Sequence, residues 1–325
     1  ERKKHPLGEA LPAQTAPHFY RTLFSIAIPV TIGASMMPIV NLVDASLVVN
    51  RLTHIGYELK NAREMYGVLT GMVNTMVNMP AVITLSFSMS LVPAVSSALT
   101  KKDQQGLQRM ISTGLKLALM IGSAAAVGMG LLSHQILRLL YASQPENCLE
   151  LGGQLLAIMS VGVLFLAVVQ TTTGMLQGLG KPSYPVKTLL VGIVAKTVLN
   201  YVLIGIPQIN VLGAAIATVV CYAIAALGNV YMVLKLSKTK LKPVDALVRP
   251  ALAAGGMGAA VWGFVRLMGG RLGNTMLTLG AVCLGVLVYA VLTFVLRALS
   301  KEDLALIPGG RRVARLMDKL GGKKA

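Results

Sequence analysis

A lysine at position 196 stands near the middle of an apolar run, with Asn200 four residues on. In a helix that interval places both side chains on one face. An ammonium at mid-bilayer costs about 2.5–3.5 kcal/mol on insertion scales, so it needs a reason to be there. About ten residues flank it on either side, roughly 15 Å at helical rise, which is too far for full snorkelling. Lys196 is therefore expected to face protein or water, as a point charge available for pairing. Asn74 and Asn78 share a face in another run, and Gln170, Thr173 and Gln177 share one in a third. Asn41 and Asp44 lie three residues apart, with Arg51 two turns later at the outer edge. Each amide has a plainer use as an interhelical hydrogen bond, worth about 0.6 kcal/mol on average. Asp44 could form a structural ion pair with Arg51 or Lys196.

The elements that must carry these residues are long apolar segments. Hydrophobic residues make up 54% of the 325, charged residues 13%, and mean hydropathy is +0.69. About a quarter charged is usual in a soluble domain. A membrane-spanning helix needs about 20 apolar residues. Eight stretches qualify, at roughly 22–49, 68–99, 113–133, 152–178, 186–205, 211–234, 247–268 and 275–298. The expectation is an all-α polytopic membrane protein of about eight transmembrane helices. Pro29, Pro38, Pro80 and Pro93 are expected kinks.

The net charge of +18 is distributed between the runs. Of 30 Lys and Arg, 23 fall on one side of the expected topology and six on the other, namely Arg51, Lys60, Arg63, Arg138, Arg266 and Arg271. Basic loops stay cytoplasmic, so both termini are expected on the cytoplasmic side of the membrane. Asp44, Asn74, Asn78 and Asn200 then lie in the outer half, Lys196 in the middle, and Gln170, Thr173 and Gln177 in the inner half, a polar path across the bilayer. Lys116, at the start of the run 113–133, counts among the 23. Residues 236–246 read as a basic cytoplasmic linker, 247–299 as a final helix pair, and 300–325 as a basic tail resting on anionic lipid. No aromatic platform or finger accompanies the charges, which argues against nucleic acid. Cys148, Cys221 and Cys283 form neither a disulfide framework nor a metal site. The chain opens on Glu1 rather than Met, and is read as a piece of a longer protein.

Several segments carry a family resemblance. Residues 34–52 (ASMMPIVNLVDASLVVNRL) and 62–71 (AREMYGVLTG) resemble the first helix and outer loop of the C-terminal lobe in the polysaccharide-exporter branch of the multidrug/oligosaccharidyl-lipid/polysaccharide (MOP) flippase superfamily, which includes stage V sporulation proteins. Residues 90–96 (SLVPAVS), 174–182 (GMLQGLGKP), 195–200 (AKTVLN) and 213–218 (GAAIAT) extend it, so that it covers roughly 18–300. The resemblance implies fourteen helices in two six-helix lobes around a central cavity, plus a final pair. Residues 1–18 would be the inter-lobe linker and 19–235 the C-terminal lobe, with an N-terminal lobe as missing partner. It also implies transport of undecaprenyl-pyrophosphate-linked saccharides, including peptidoglycan precursors, in cell-wall or spore-cortex synthesis. Related lipid II flippases share a cluster of cavity arginines; these spans have no central Arg.

On that reading Lys196 pairs with phosphate, Asn74, Asn78, Asn200 and Gln177 face sugar, Gln170 and Asn41 line the path, and Asp44 is the ion-coupling candidate. No catalytic residue, metal or cofactor is expected; Na+, H+ or membrane potential would drive the cycle. One rival is a cation-coupled multidrug or metabolite antiporter of the same superfamily. The other is a polyprenyl-sugar polymerase or ligase, whose chemistry would rest on His54, Glu58, Arg63 and Glu64, more simply a solvated loop.

Overall fold

The computed structural model describes residues 40–239 and 244–296, and their regular structure is entirely helical. The chain divides into two compact units, residues 1–44 and 45–325. Of the first, the described residues 40–44 are helical. The expected linker 1–18, most of the first apolar run, the tail 300–325, Pro29, Pro38, Lys240 and Lys242 lie outside the described residues.

Helix α1 (residues 40–54) leads through a short turn into α2 (Leu59–Thr100). There follow α3 (Gln104–Leu131), the short α4 (Ser133–Leu140), α5 (Glu146–Gly178), α6 (Ser183–Ile204), α7 (Leu212–Ser237), α8 (Ala246–Met268) and α9 (Asn274–Val295). Among the described residues seven helices, α2, α3 and α5 to α9, are long and apolar enough to cross a membrane. Helices satisfy every backbone donor internally, which a hydrocarbon environment requires of an open segment.

Helix α5 is the central column, packed by α2, α3, α4 and α7. Small residues bring its neighbours close. A Cβ on Gly174 would stand 2.6 Å from the Ser88 carbonyl oxygen of α2, and one on Gly178 would stand 2.8 Å from that of Val92. Between α6 and α7, a Cβ on Gly192 would meet the Cys221 carbonyl oxygen at 2.7 Å. Such backbone approach is what small residues contribute where lipid supplies no hydrophobic drive. Around these seams the apolar side chains form two cores. One centres on Val73, Leu155, Met159 and Ile204, the other on Leu91, Ile111, Met175 and Val233.

The pair α8 and α9 packs against α3 through Met257, Val261, Ala281 and Val127. The Tyr289 hydroxyl donates to the Met120 carbonyl at 2.7 Å, and the Asn274 amide to that of Gln135 at 3.2 Å. The pair is thus stitched to the bundle by side-chain donors on backbone acceptors.

Two details differ from expectation. Residues 62–71 are helical, not an outer loop: Leu59–Gly67 is α-helix and Val68–Val73 a π-helical turn. Their buried residues Ala62, Val68 and Leu69 form an apolar face beneath exposed Lys60, Asn61, Arg63 and Glu64, so average hydropathy hid an amphipathic helix. Lys116 is no loop residue, because α3 begins at Gln104; it lies about 18 Å along the helix and is buried.

Gly174→Ala should force α2 from α5 and lower stability by about 1–3 kcal/mol, the usual range for overpacking. Gly255→Ala, where nothing lies within 4 Å of the added carbon, should leave the midpoint unchanged or raise it. Thermal unfolding of both variants in detergent reads the difference.

Candidate functional site: the polar residues of the bundle

Lys196 lies on a single line of α6 with Gly192 and Asn200, at four-residue spacing. Gly192 and Asn200 are both buried, while Lys196 itself is half-buried. The opposite side of α6 carries the exposed Val191, Val194 and Val198. The lysine therefore rides on the side of its helix that packs, not on its broad apolar face. It stands about 20 Å from Ser183 and about 12 Å from Ile204 along the axis. Lys196, Asn200 and Lys116 each have an interaction partner.

Arg51 ties α1 to the end of α6. Its Nε donates to the Tyr201 carbonyl at 3.1 Å, and the guanidinium lies 4.2 Å from the centroid of the Tyr201 ring. A cation over the last turn of a helix also complements the dipole there. In the other unit, Asn41 is exposed and Asp44 buried, and both have partners.

On α2, Asn74 is half-buried and Asn78 exposed. The stripe begun by Asn78 runs on through exposed Val82, Leu85 and Met89. Gln170 sits at the α2–α5 seam: buried Thr84 donates to its side-chain oxygen, and buried Ser88 donates to its backbone carbonyl at 2.7 Å. Gln177, two turns further along α5, is exposed. The candidates thus fall into separate groups. Gln170 joins α2 to α5, whereas Lys196 and Asn200 lie on α6, which packs chiefly on α7.

A second polar node involves a residue that sequence reasoning passed over. Asn229 of α7 is fully buried. Its Oδ1 accepts from the Thr188 hydroxyl of α6 at 2.6 Å, and its Nδ2 donates to Thr173 Oγ1 of α5 at 3.5 Å. One amide so links three helices. The signal was a lone Asn in the apolar run 211–234. Of the residues considered for an enzymatic site, His54 ends α1, Glu58 precedes the first turn of α2, and Arg63 and Glu64 are exposed on that helix. Among the described residues no three of His, Cys, Asp and Glu gather as a metal site would require.

Seven apolar helices with polar side chains worked into their seams define a multi-pass α-helical membrane protein. The MatE family model matches residues 69–202. The lipid II flippase MurJ of Bacillus subtilis (strain 168) is 27% identical over 65% of this chain and 38% of its own length. Stage V sporulation protein B of the same organism is 24% identical over 89% of this chain and 54% of its own, and the membrane protein YabM 24% over 93% and 56%. The family match is confined to residues 69–202, and the chain, with these proteins as homologues, spans about half the length of the latter two. Among solved structures, a lipid II flippase MurJ in an inward closed conformation superimposes with a TM-score of 0.64, over 89% of this chain and 56% of that one, at 17% identity. An outward-facing MATE multidrug transporter of the MOP superfamily gives 0.54, over 89% and 67%, at 16%. These likenesses are of fold. The names are those of flippases and transporters, not of enzymes.

Asn229→Leu should cost about 0.6–1.7 kcal/mol, the span measured for such bonds. It should not cost more, because Thr188 and Thr173 also donate to carbonyls of their own helices, Pro185 at 3.0 Å and Val169 at 2.7 Å. A double-mutant cycle with Thr188→Val, read by unfolding in mixed micelles, isolates the coupling.

Proposed function

We propose that this chain is the C-terminal lobe and final helix pair of a flippase for lipid-linked saccharides, of the undecaprenyl-pyrophosphate type used in cell-wall or spore-cortex synthesis. The supporting observation is the extent of similarity. Homology to the lipid II flippase and to stage V sporulation protein B extends over 65% and 89% of the chain. In this reading an N-terminal lobe completes the cavity, and rocking of the two lobes about the midplane gives alternating access. The polyprenyl tail stays in lipid while the headgroup crosses through protein, so its hydroxyls and charges are never left unpaired in hydrocarbon. Lys196 pairs with a phosphate oxygen as a point charge. Asn74, Asn78, Asn200 and Gln177 meet sugar hydroxyls, Asn41 and Gln170 border the path, and Asp44 is the candidate site for a coupling proton or cation.

A second reading has its own support. A B. subtilis protein named a probable multidrug resistance protein, YpnP, is 31% identical over 46% of the chain, and the matching family model is MatE. It makes the substrate a cationic drug exchanged for Na+ or H+.

The excess of Lys and Arg on one side of the expected topology supports an orientation with that side, and both termini, toward the cytoplasm. Single cysteines replacing the exposed Lys102 and Lys60 should be labelled by a membrane-impermeant maleimide from the cytoplasmic and the outer side respectively. Reversed labelling would overturn the orientation.

In the full-length protein in liposomes, Lys196→Met should fold at least as well as the parent, because an inserted charge is removed, and should lose most flipping of a fluorescent polyprenyl-pyrophosphate saccharide. Lys196→Arg should keep part of it, charge being retained in a planar fork. Undiminished flipping per folded molecule in Lys196→Met would remove the lysine from the substrate path.

A further inference from the structure

At the basic end of the bundle, the first turns of α3 stand beside the last turn of α7 and enclose a cleft of about 500 Å³. Gln105, Gln108, Arg109 and Ser112 line it from α3, Lys238 and Thr239 from the end of α7. The α3 residues recur at helical spacing, so the wall is one continuous face of that helix. Its geometry is held from both sides. Gln104 Nε2 donates to the Ser237 carbonyl at 2.7 Å and Gln108 Nε2 to the Lys238 carbonyl at 3.0 Å, satisfying carbonyls that the α7 terminus leaves without helical partners. Lys238 adopts the left-handed conformation, φ 55°, that ends the helix. Beyond it, Thr239 is buried and its hydroxyl lies 2.7 Å from that of Ser237.

The lining is rich in donors. Arg109, which also has a partner within the protein, brings a five-donor guanidinium, Lys238 an ammonium, Gln105 an amide and Ser112 a hydroxyl, and among the described lining residues there is no carboxylate. Guanidinium and ammonium together are the chemistry that recognises phosphate. The dipole of α7 would oppose an anion at its C-terminal end, but the two glutamines already occupy the carbonyls of Ser237 and Lys238. In the proposed orientation the cleft lies at the cytoplasmic ends of α3 and α7, where the headgroups of an anionic leaflet would meet it. We propose that this cleft is a phosphate-binding site, separate from the Lys196 path, that holds the phosphate of an anionic phospholipid headgroup against the α3–α7 corner. Free inorganic phosphate shares that chemistry and is the alternative source.

The test uses the full chain in nanodiscs containing phosphatidylglycerol or only phosphatidylcholine, with retained lipid counted by native mass spectrometry after detergent release. The unsubstituted chain should retain phosphatidylglycerol preferentially. The double variant Arg109→Gln/Lys238→Gln should bind it about tenfold more weakly, and Lys102→Gln, an exposed lysine at the same end but outside the cleft, should remain within about twofold. Gln105→Glu, an exposed substitution that puts a carboxylate in the cleft without touching the packed side of α3, should weaken retention in the same direction and guards against misfolding of the double variant. Displacement by millimolar inorganic phosphate in the parent but not in Gln105→Glu would assign the site to free phosphate; retention unaffected by phosphate assigns it to the lipid. Unchanged retention in both cleft variants, or equal weakening by Lys102→Gln, would overturn the proposal.

Discussion

The bundle depends on how closely α2 can approach α5. With no side chain at Gly174 or Gly178, the carbonyls of Ser88 and Val92 come within 2.6 Å and 2.8 Å of where a Cβ would stand. That distance is short enough for Ser88 and Thr84 to reach Gln170. Apolar side chains alone would not enforce it, because lipid tails solvate leucine as well as another helix does. Packing and hydrogen bonding act on the same stretch of α5, and the remaining helices are arranged around the column that results.

Polar groups within the spans follow from the same constraint. In hydrocarbon an unpaired donor or acceptor is costly, so the buried threonines bond to carbonyls of their own helices and, where a neighbour is near, across to it. Half-buried Thr188 and Thr173 do both, each also meeting Asn229 of α7. Lys196 differs in kind. It lies on a packing line, between buried Gly192 and Asn200, yet stays half-exposed, and a helix stabilised only by van der Waals contact would be better served by an apolar residue there. This is the physical ground on which a role in substrate passage is proposed for it.

Much of the architecture was legible because it was written in periodicity and charge. The apolar runs mark the seven described spans, and interruptions by basic residues mark the connections. What was missed was missed for definite reasons. The opening turns of α2 look polar on average because Lys60, Asn61, Arg63 and Glu64 conceal the buried Ala62 and Val68. Lys116 was counted with the basic residues of one side although it falls in the apolar run 113–133; helical hydrogen bonding starts at Gln104, so it lies well inside α3. Asn229 has no polar neighbour at three or four residues in its own helix; its partners come from α5 and α6, and such nodes become visible only once helices are placed beside one another.

Residues 69–202 match the MatE family model, and the proposed flippase reading turns on the sign of the headgroup transported. The direct measurement is transport by the full-length protein in liposomes, comparing a fluorescent undecaprenyl-pyrophosphate disaccharide with a cationic dye under imposed sodium and proton gradients. The account predicts saturable movement of the pyrophosphate-linked saccharide and dye uptake no greater than in empty liposomes. Gradient-driven movement of the dye, with the saccharide left on its original leaflet, would contradict it.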